Sequence, residues 1–137
     1  MKIEYAVKGR LSADEFLDLL HRSTLGERRP VEDRECIEGM VREADLTVTA
    51  RSEGQLVGVA RSVTDFHYAC YLSDLAVDRS CQRQGIGLEL IRQTREALGP
   101  QCNLILLSAP AAVDYYPRVG FQHHPQAWIL DREGPLG

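Results

Sequence analysis

Tyr71-Leu72-Ser73-Asp74-Leu75-Ala76-Val77, followed after four residues by Gln82-Arg83-Gln84-Gly85-Ile86-Gly87, is the stretch on which the reading of this chain turns. The first segment has the apolar run of a strand. An amphipathic helix is predicted directly after the second, from Leu88 to Leu98, with Leu88, Ile91, Thr94 and Leu98 on one face. Gly85 and Gly87, one residue apart, let the backbone turn tightly and approach a bound group with no Cβ in the way. The unpaired N–H groups and positive dipole end of the following helix point back at this loop. Strand, glycine loop and helix together make an anion site suited to a pyrophosphate. Arg83 adds a mobile positive charge. The glycines by themselves fit a ligand-free strand-to-helix turn equally well.

Two phosphate loops are excluded by the residues present. A P-loop needs Gly-Lys-Ser/Thr, and Gly87-Leu88-Glu89 supplies neither the lysine nor the hydroxyl. A dinucleotide fingerprint needs a third glycine where Leu90 stands and an acidic residue about 20 positions on. That region reads Asn103-Leu104-Ile105-Leu106-Leu107.

Gln82-x-x-Gly85-x-Gly87 after an Asp-Leu-Ala-Val strand resembles the acyl-CoA loop of the GNAT superfamily, the CoA-dependent N-acetyltransferases. Further on, Tyr115-Tyr116-Pro117-Arg118-Val119-Gly120-Phe121 is similar to that family's tyrosine helix and its Gly-Phe exit. The resemblance covers residues 55–130. It implies a GNAT-like α/β fold: a mixed, mostly antiparallel sheet flanked by helices on both faces, with the central strand splayed from its neighbour and CoA in the gap. It also implies acetyl-CoA as cosubstrate and an amine as acceptor, with no metal.

The roles follow residue by residue from that resemblance. Gln82, Arg83, Gln84, Gly85, Ile86 and Gly87 would hold the pyrophosphate. Leu75, Ala76 and Val77 would offer backbone groups to the pantetheine arm, although the same triplet reads as plain sheet core by pattern. Tyr116 matches the tyrosine that protonates the departing sulfur; the alternative, a tyrosine packing on the sheet, fits Tyr115 better. Asp74, the one carboxylate in the strand, is a candidate base, or else a structural acceptor. Asp65 and His67 are second choices, and ordered water is another route for the amine proton. Three departures stand out: Ala109 where the family often has asparagine, Arg79 and Cys81 where proline and an aromatic are usual, and Pro117 directly after Tyr116. Cys81 reads as a space-filling thiol, so direct attack in a ternary complex is the simpler mechanism. A module that binds or senses acyl-CoA without turnover would keep the same loop.

The remaining chain reads as one domain, residues 1–137, with no internal repeat. The start shows no basic-then-apolar leader and no apolar run approaches about 18 residues, so a soluble, cytoplasmic protein is expected, not a membrane one. Cys36, Cys70, Cys81 and Cys102 have neither Cys-x-x-Cys spacing nor histidines at metal spacing, and read as buried or half-buried free thiols in a reducing compartment. No basic stripe points to nucleic acid. The net charge of −4 lies wholly in residues 1–77, which hold 14 acidic and 10 basic side chains. If that half supplies the acceptor side, its acidity favours a cationic amine; surface solubility explains it as well. Homodimerisation through a terminal strand or an exposed helix face is left open.

Other elements have local signatures. Ile3–Val7 alternates as a first strand. Ser12-Ala13-Asp14-Glu15 is a capping box opening a helix, with Leu11 and Phe16 as its staple. A second helix carries Cys36, Ile37, Met40, Val41 and Ala44. Residues 46–50 and 55–60 form a hairpin about Ser52-Glu53-Gly54. Leu104–Leu107 is a buried strand, residues 111–119 a short helix, and residues 121–124 and 128–130 the last strands.

Overall fold

The computed structural model describes residues 2–137. Five strands form one sheet in sequence order: β1 (Glu4–Val7), β2 (Leu46–Ser52), β3 (Gln55–Thr64), β4 (Ala69–Val77) and β5 (Asn103–Ile105). Neighbours pair antiparallel except β4 and β5, which are parallel. Helices α1 (Ala13–Arg22) and α2 (Arg34–Glu43) cover one face. Helix α3 (Ile86–Glu96) covers the other, beside the single-turn helix α4 (Tyr115–Arg118). The predicted fold class is the observed one.

Local chemistry accounts for most boundaries. The Glu15 N–H donates to Ser12 Oγ at 3.0 Å, and the Ser12 N–H donates to Glu15 Oε1 at 3.3 Å, closing the capping box of α1. Glu53 and Gly54, with φ of 50° and 83°, form the two-residue turn of the β2–β3 hairpin. Positive φ at both positions matches the right-handed twist of the flanking strands.

Two cores flank the sheet. Phe16, Leu19, Leu20 and Ile37 of α1 and α2 pack on Leu56, Val59 and Ala76. Ile86, Leu90 and Ile91 of α3 pack on Val48, Ala50, Val57, Ala60 and Leu72. Leu72 and Ala76 are an even number of residues apart yet face opposite cores. Strict alternation would put them on one face. The register passes from Arg61↔Asp74 to Ser62↔Leu72, leaving Ser73 as an extra residue that turns the strand over. A β-bulge of this kind re-aims the side chains that follow it.

Four expectations need correction. Helix α3 begins at Ile86, two residues early, and buries Ile86, Leu90, Ile91 and Thr94, while Leu88 is exposed. Its inward stripe is set by the glycine loop, which delivers Ile86 straight onto the sheet. Strand β5 is not buried, with Ile105 and, just beyond it, Leu107 exposed, and it stops at Ile105 and offers no further ladder. Residues 121–124 and 128–130 accordingly form no strand, and Trp128, Ile129 and Leu130 are exposed. Cys36 is exposed, not buried; all four cysteines are free thiols.

Glu15 also links α1 to the sheet, since Arg51 of β2 donates to it at 2.6 and 3.2 Å. Hydrogen bonding from Arg51 above all, with a smaller contribution from the Ser12 N–H, holds the Glu15 carboxyl at about 2 instead of 4.5, against the opposing effect of its burial. A carboxyl with a lowered folded-state pKa stabilises the protein above its unfolded value and stops doing so as pH falls through the folded one. Glu15→Gln keeps the capping geometry and removes the charge. Urea melts should therefore show this variant less stable than wild type near neutral pH, with the gap closing between pH 4.5 and about 2.

Candidate active site

Strand β4 keeps β3 along its length but meets β5 at three positions only: Ala69↔Asn103, Cys70↔Leu104 and Tyr71↔Ile105. Beyond Tyr71 the two strands part. The Asp78 N–H donates to the Val57 carbonyl at 2.8 Å. Alternation along an antiparallel ladder then turns the backbone groups of Leu75 and Val77 away from β3, into the parting. The Gln82 amide already uses one of them, donating to the Val77 carbonyl at 3.2 Å. Ala76 faces the α1–α2 core instead and is buried there.

From Val77 the chain enters a 3₁₀ turn, Arg79–Cys81, capped by Asp78, whose side chain accepts the Ser80 N–H at 2.9 Å. Buried Cys81 packs into the α3 core, as a space filler would. The glycine loop follows, with Arg83 and Gly85 both in the left-handed region at φ of 66° and 80°. Gly85 is the N-cap of α3 and no side chain caps that helix. Its first N–H groups are left to face the exposed loop Gln82–Gly85, which is the arrangement that attracts an anion. Gly87 permits a close approach: a Cβ there would lie 2.9 Å from the Tyr115 hydroxyl.

Where the strands part there is a cavity of about 220 Å³, lined by Tyr71, Ser73 and Leu75 of β4, by Tyr116, and by Arg28 and Arg29 from the α1–α2 connection. Helix α4 is shorter than predicted, preceded by a 3₁₀ turn at Pro110–Ala112. The Tyr116 ring is held edge-to-face between Tyr115 and Phe121, at centroid distances of 5.2 and 5.4 Å. Burial pushes its phenol above the usual 10.0; Tyr115 adds to the shift and the Arg29 guanidinium opposes it.

Asp74 lies elsewhere. It is fully buried on the α1–α2 face, with one carboxylate oxygen on Arg29 Nε and the other on Arg61 Nε. Arg29 also donates to the Ser73 carbonyl at 2.7 Å, and Arg61 to the Ser73 hydroxyl at 3.0 Å and the Met40 carbonyl at 3.1 Å. A carboxylate engaged on both oxygens and absent from the cavity wall cannot reach a substrate proton. Asp74 is therefore a structural acceptor, not a base. Asp65 is exposed and caps its own turn: its Oδ1 accepts the N–H groups of His67, Tyr68 and Ala69 at 2.8–3.1 Å. Those backbone bonds, Tyr68 first, hold its carboxyl at about 2. Neither it nor His67 lines the cavity. Sequence reasoning missed Arg28 and Arg29 as wall residues; the available signal was a pair of arginines before Pro30.

The described residues contain no group of three or more His, Cys, Asp or Glu side chains able to hold a metal ion, and no helix long and apolar enough to cross a membrane. The parted strand, glycine loop and tyrosine helix are the architecture of an acyltransferase domain. The family model for the acetyltransferase (GNAT) domain matches residues 26–129, and the chain belongs to that family. A GCN5-related N-acetyltransferase 2, chloroplastic, of Arabidopsis thaliana is 31% identical over 78 residues, a match spanning 56% of this chain and 30% of that protein. A probable acetyltransferase from Staphylococcus aureus superposes with a TM-score of 0.78 at 19% identity, covering 95% of this chain and 98% of the other. An aminoglycoside N-acetyltransferase solved in complex with CoA superposes at 0.70 with 14% identity, over 96% and 95% of the two chains.

Removing the carboxylate between two arginines leaves buried positive charge without a partner. Asp74→Ala should cost about 3–5 kcal/mol of unfolding free energy, measured by urea denaturation.

Proposed function

We propose that this protein moves an acetyl group from acetyl-CoA to a primary amine, by direct attack within a ternary complex. One observation carries the reading: β4 loses its β5 partner just before Leu75 and Val77, on the strand that leads into an uncapped glycine loop. Backbone groups bared within a sheet need partners, and the pantetheine amides supply them at the spacing of a strand. The N–H groups of Ile86 and Gly87, with Gln84 and Gly85 shaping the turn and Arg83 beside it, would take the pyrophosphate. The CoA complex of a structural neighbour agrees with this reading.

The step balances with this chain's residues and solvent. The neutral amine nitrogen attacks the thioester carbonyl, forming a C–N bond and placing negative charge on oxygen. A backbone N–H of β4 aimed into the parting would stabilise that charge; one such donor is worth about 10²–10³ in rate. The C–S bond then breaks and the Tyr116 hydroxyl gives its proton to the leaving thiolate. A phenol and an alkyl thiolate are close enough in basicity for this transfer. The amine proton leaves through water, because Asp74 is engaged on both oxygens and neither it nor Asp65 lines the cavity. The acceptor is a small-molecule amine, with a peptide or protein amine as the variant.

Tyr116→Phe should lower kcat by about 10²–10⁴ while the CoA dissociation constant, read by calorimetry, stays within a few-fold. Undiminished turnover in that variant would reassign the proton donor. The acid must hold its proton to act, and its pKa is raised above 10.0. The alkaline fall of kcat in the wild type should accordingly lie above pH 10.0, and be absent from the residual activity of Tyr116→Phe. CoA binding without transfer to any amine would leave a binding module and end the enzyme reading.

A further inference from the structure

The cavity wall carries positive charge and no carboxylate. Arg28 and Arg29 are its only charged lining residues among those described. Three of the five N–H groups of the Arg29 guanidinium are occupied, by Asp74, by the Ser73 carbonyl at 2.7 Å and by the Arg28 carbonyl at 2.8 Å. Two remain. Asp74 is one negative charge shared between two guanidinium groups, Arg29 and Arg61, so the cluster keeps one positive charge. Exposed Arg28 makes no ion pair or side-chain hydrogen bond with any described residue, and it stands at the rim of the same cavity.

None of the carboxylates in the first half of the chain lines this cavity. Asp14 and Glu38 pair with Arg34, and Glu15 pairs with Arg51. Glu27, next to Arg28 in sequence, is exposed and does not line the cavity. Nor are the arginines placed for the cofactor's phosphates. Arg29 is fixed at Ser73, four residues before Val77 and so about 13 Å along the strand from where the path to the glycine loop begins. On the proposed path of the cofactor, the cavity that both line would lie toward the acyl end.

Resting on the acetyltransferase reading above, we propose that the acceptor is a primary amine that also carries a carboxylate, held by Arg28 and Arg29 while its amine is presented near Tyr116. Guanidinium groups bind carboxylates through paired, charge-assisted hydrogen bonds. A second ammonium group would meet the same wall unfavourably. This reverses the cationic preference that overall acidity suggested.

The test compares acceptors that differ in that charge alone. The ω-amino acids from 3-aminopropanoate to 6-aminohexanoate are each matched with their carboxamide and with the diamine of equal length, and kcat/KM is measured for the full chain with acetyl-CoA. The acid of the best-fitting length should exceed its amide by about 10- to 100-fold. Arg28→Gln, at an exposed position with no partner in the fold, should narrow that ratio to within about three-fold. Equal rates for acid and amide, or faster transfer to the diamine, would overturn the proposal and leave the acetyltransferase reading standing. If no amine is acetylated, calorimetric binding of the same acids and amides to the CoA-saturated protein decides. Preference for the acid, lost in Arg28→Gln, supports the charge assignment although the transfer reading fails; absence of preference refutes it.

Discussion

A carboxylate with no solvent exposure sits in the middle of this sheet, and the rest of the site is arranged about it. Isolating an ionised Asp74 there would be very costly. Two arginines offset that cost, one from the neighbouring strand and one from the connection between α1 and α2. Both also bind Ser73, the extra residue of the bulge, through its carbonyl and its hydroxyl. The ion cluster therefore does more than satisfy a charge. It pins a loop, two strands and a bulge to one another, and it holds one wall of the cavity at the point where β4 changes face.

The bulge and the parting of the sheet belong to the same design. An unbroken β4 would present Leu72 and Ala76 to one core and would have no reason to leave β5. With Ser73 inserted, the strand turns over, and Leu75 and Val77 direct their backbone into a space that β5 does not fill. Short pairing with β5 is a weakness in a sheet seen as a scaffold. It becomes useful where an extended molecule can complete the ladder.

The fold is shared with proteins at very low identity, down to 14% for the aminoglycoside enzyme with CoA bound. Such distance is compatible with one way of holding a donor and many choices of acceptor, since function resides in sites carried by the fold. On the proposed reading, the donor side of this chain is made of backbone: a parted strand and a helix start. The acceptor side would be made of side chains from the α1–α2 connection, with Arg28 and Arg29 foremost. Backbone geometry survives wide sequence change, whereas a two-arginine wall is a property of these residues.

The sequence by itself determined whatever depends on near neighbours. The capping box at Ser12 and Glu15, the Glu53-Gly54 turn, the glycine loop and the β4 run each arise from contacts within a few residues, where periodicity and cap chemistry are decisive. The tyrosine at position 116 and the family's loop were legible for the same reason, as short motifs at a fixed spacing. What only the tertiary structure decided involves distant partners. Whether Asp74 is a base or a buried counter-ion depends on Arg29, 45 positions away in the chain. Residues 121–124 and 128–130 remain outside the sheet because a strand needs an open ladder beside it, and β5 ends too soon to provide one. Charge counted along the chain pointed to a cationic acceptor; charge placed in space puts Arg28 and Arg29, and no carboxylate, on the cavity wall. A Coulomb interaction depends on distance through the folded molecule, and no order of residues states that distance.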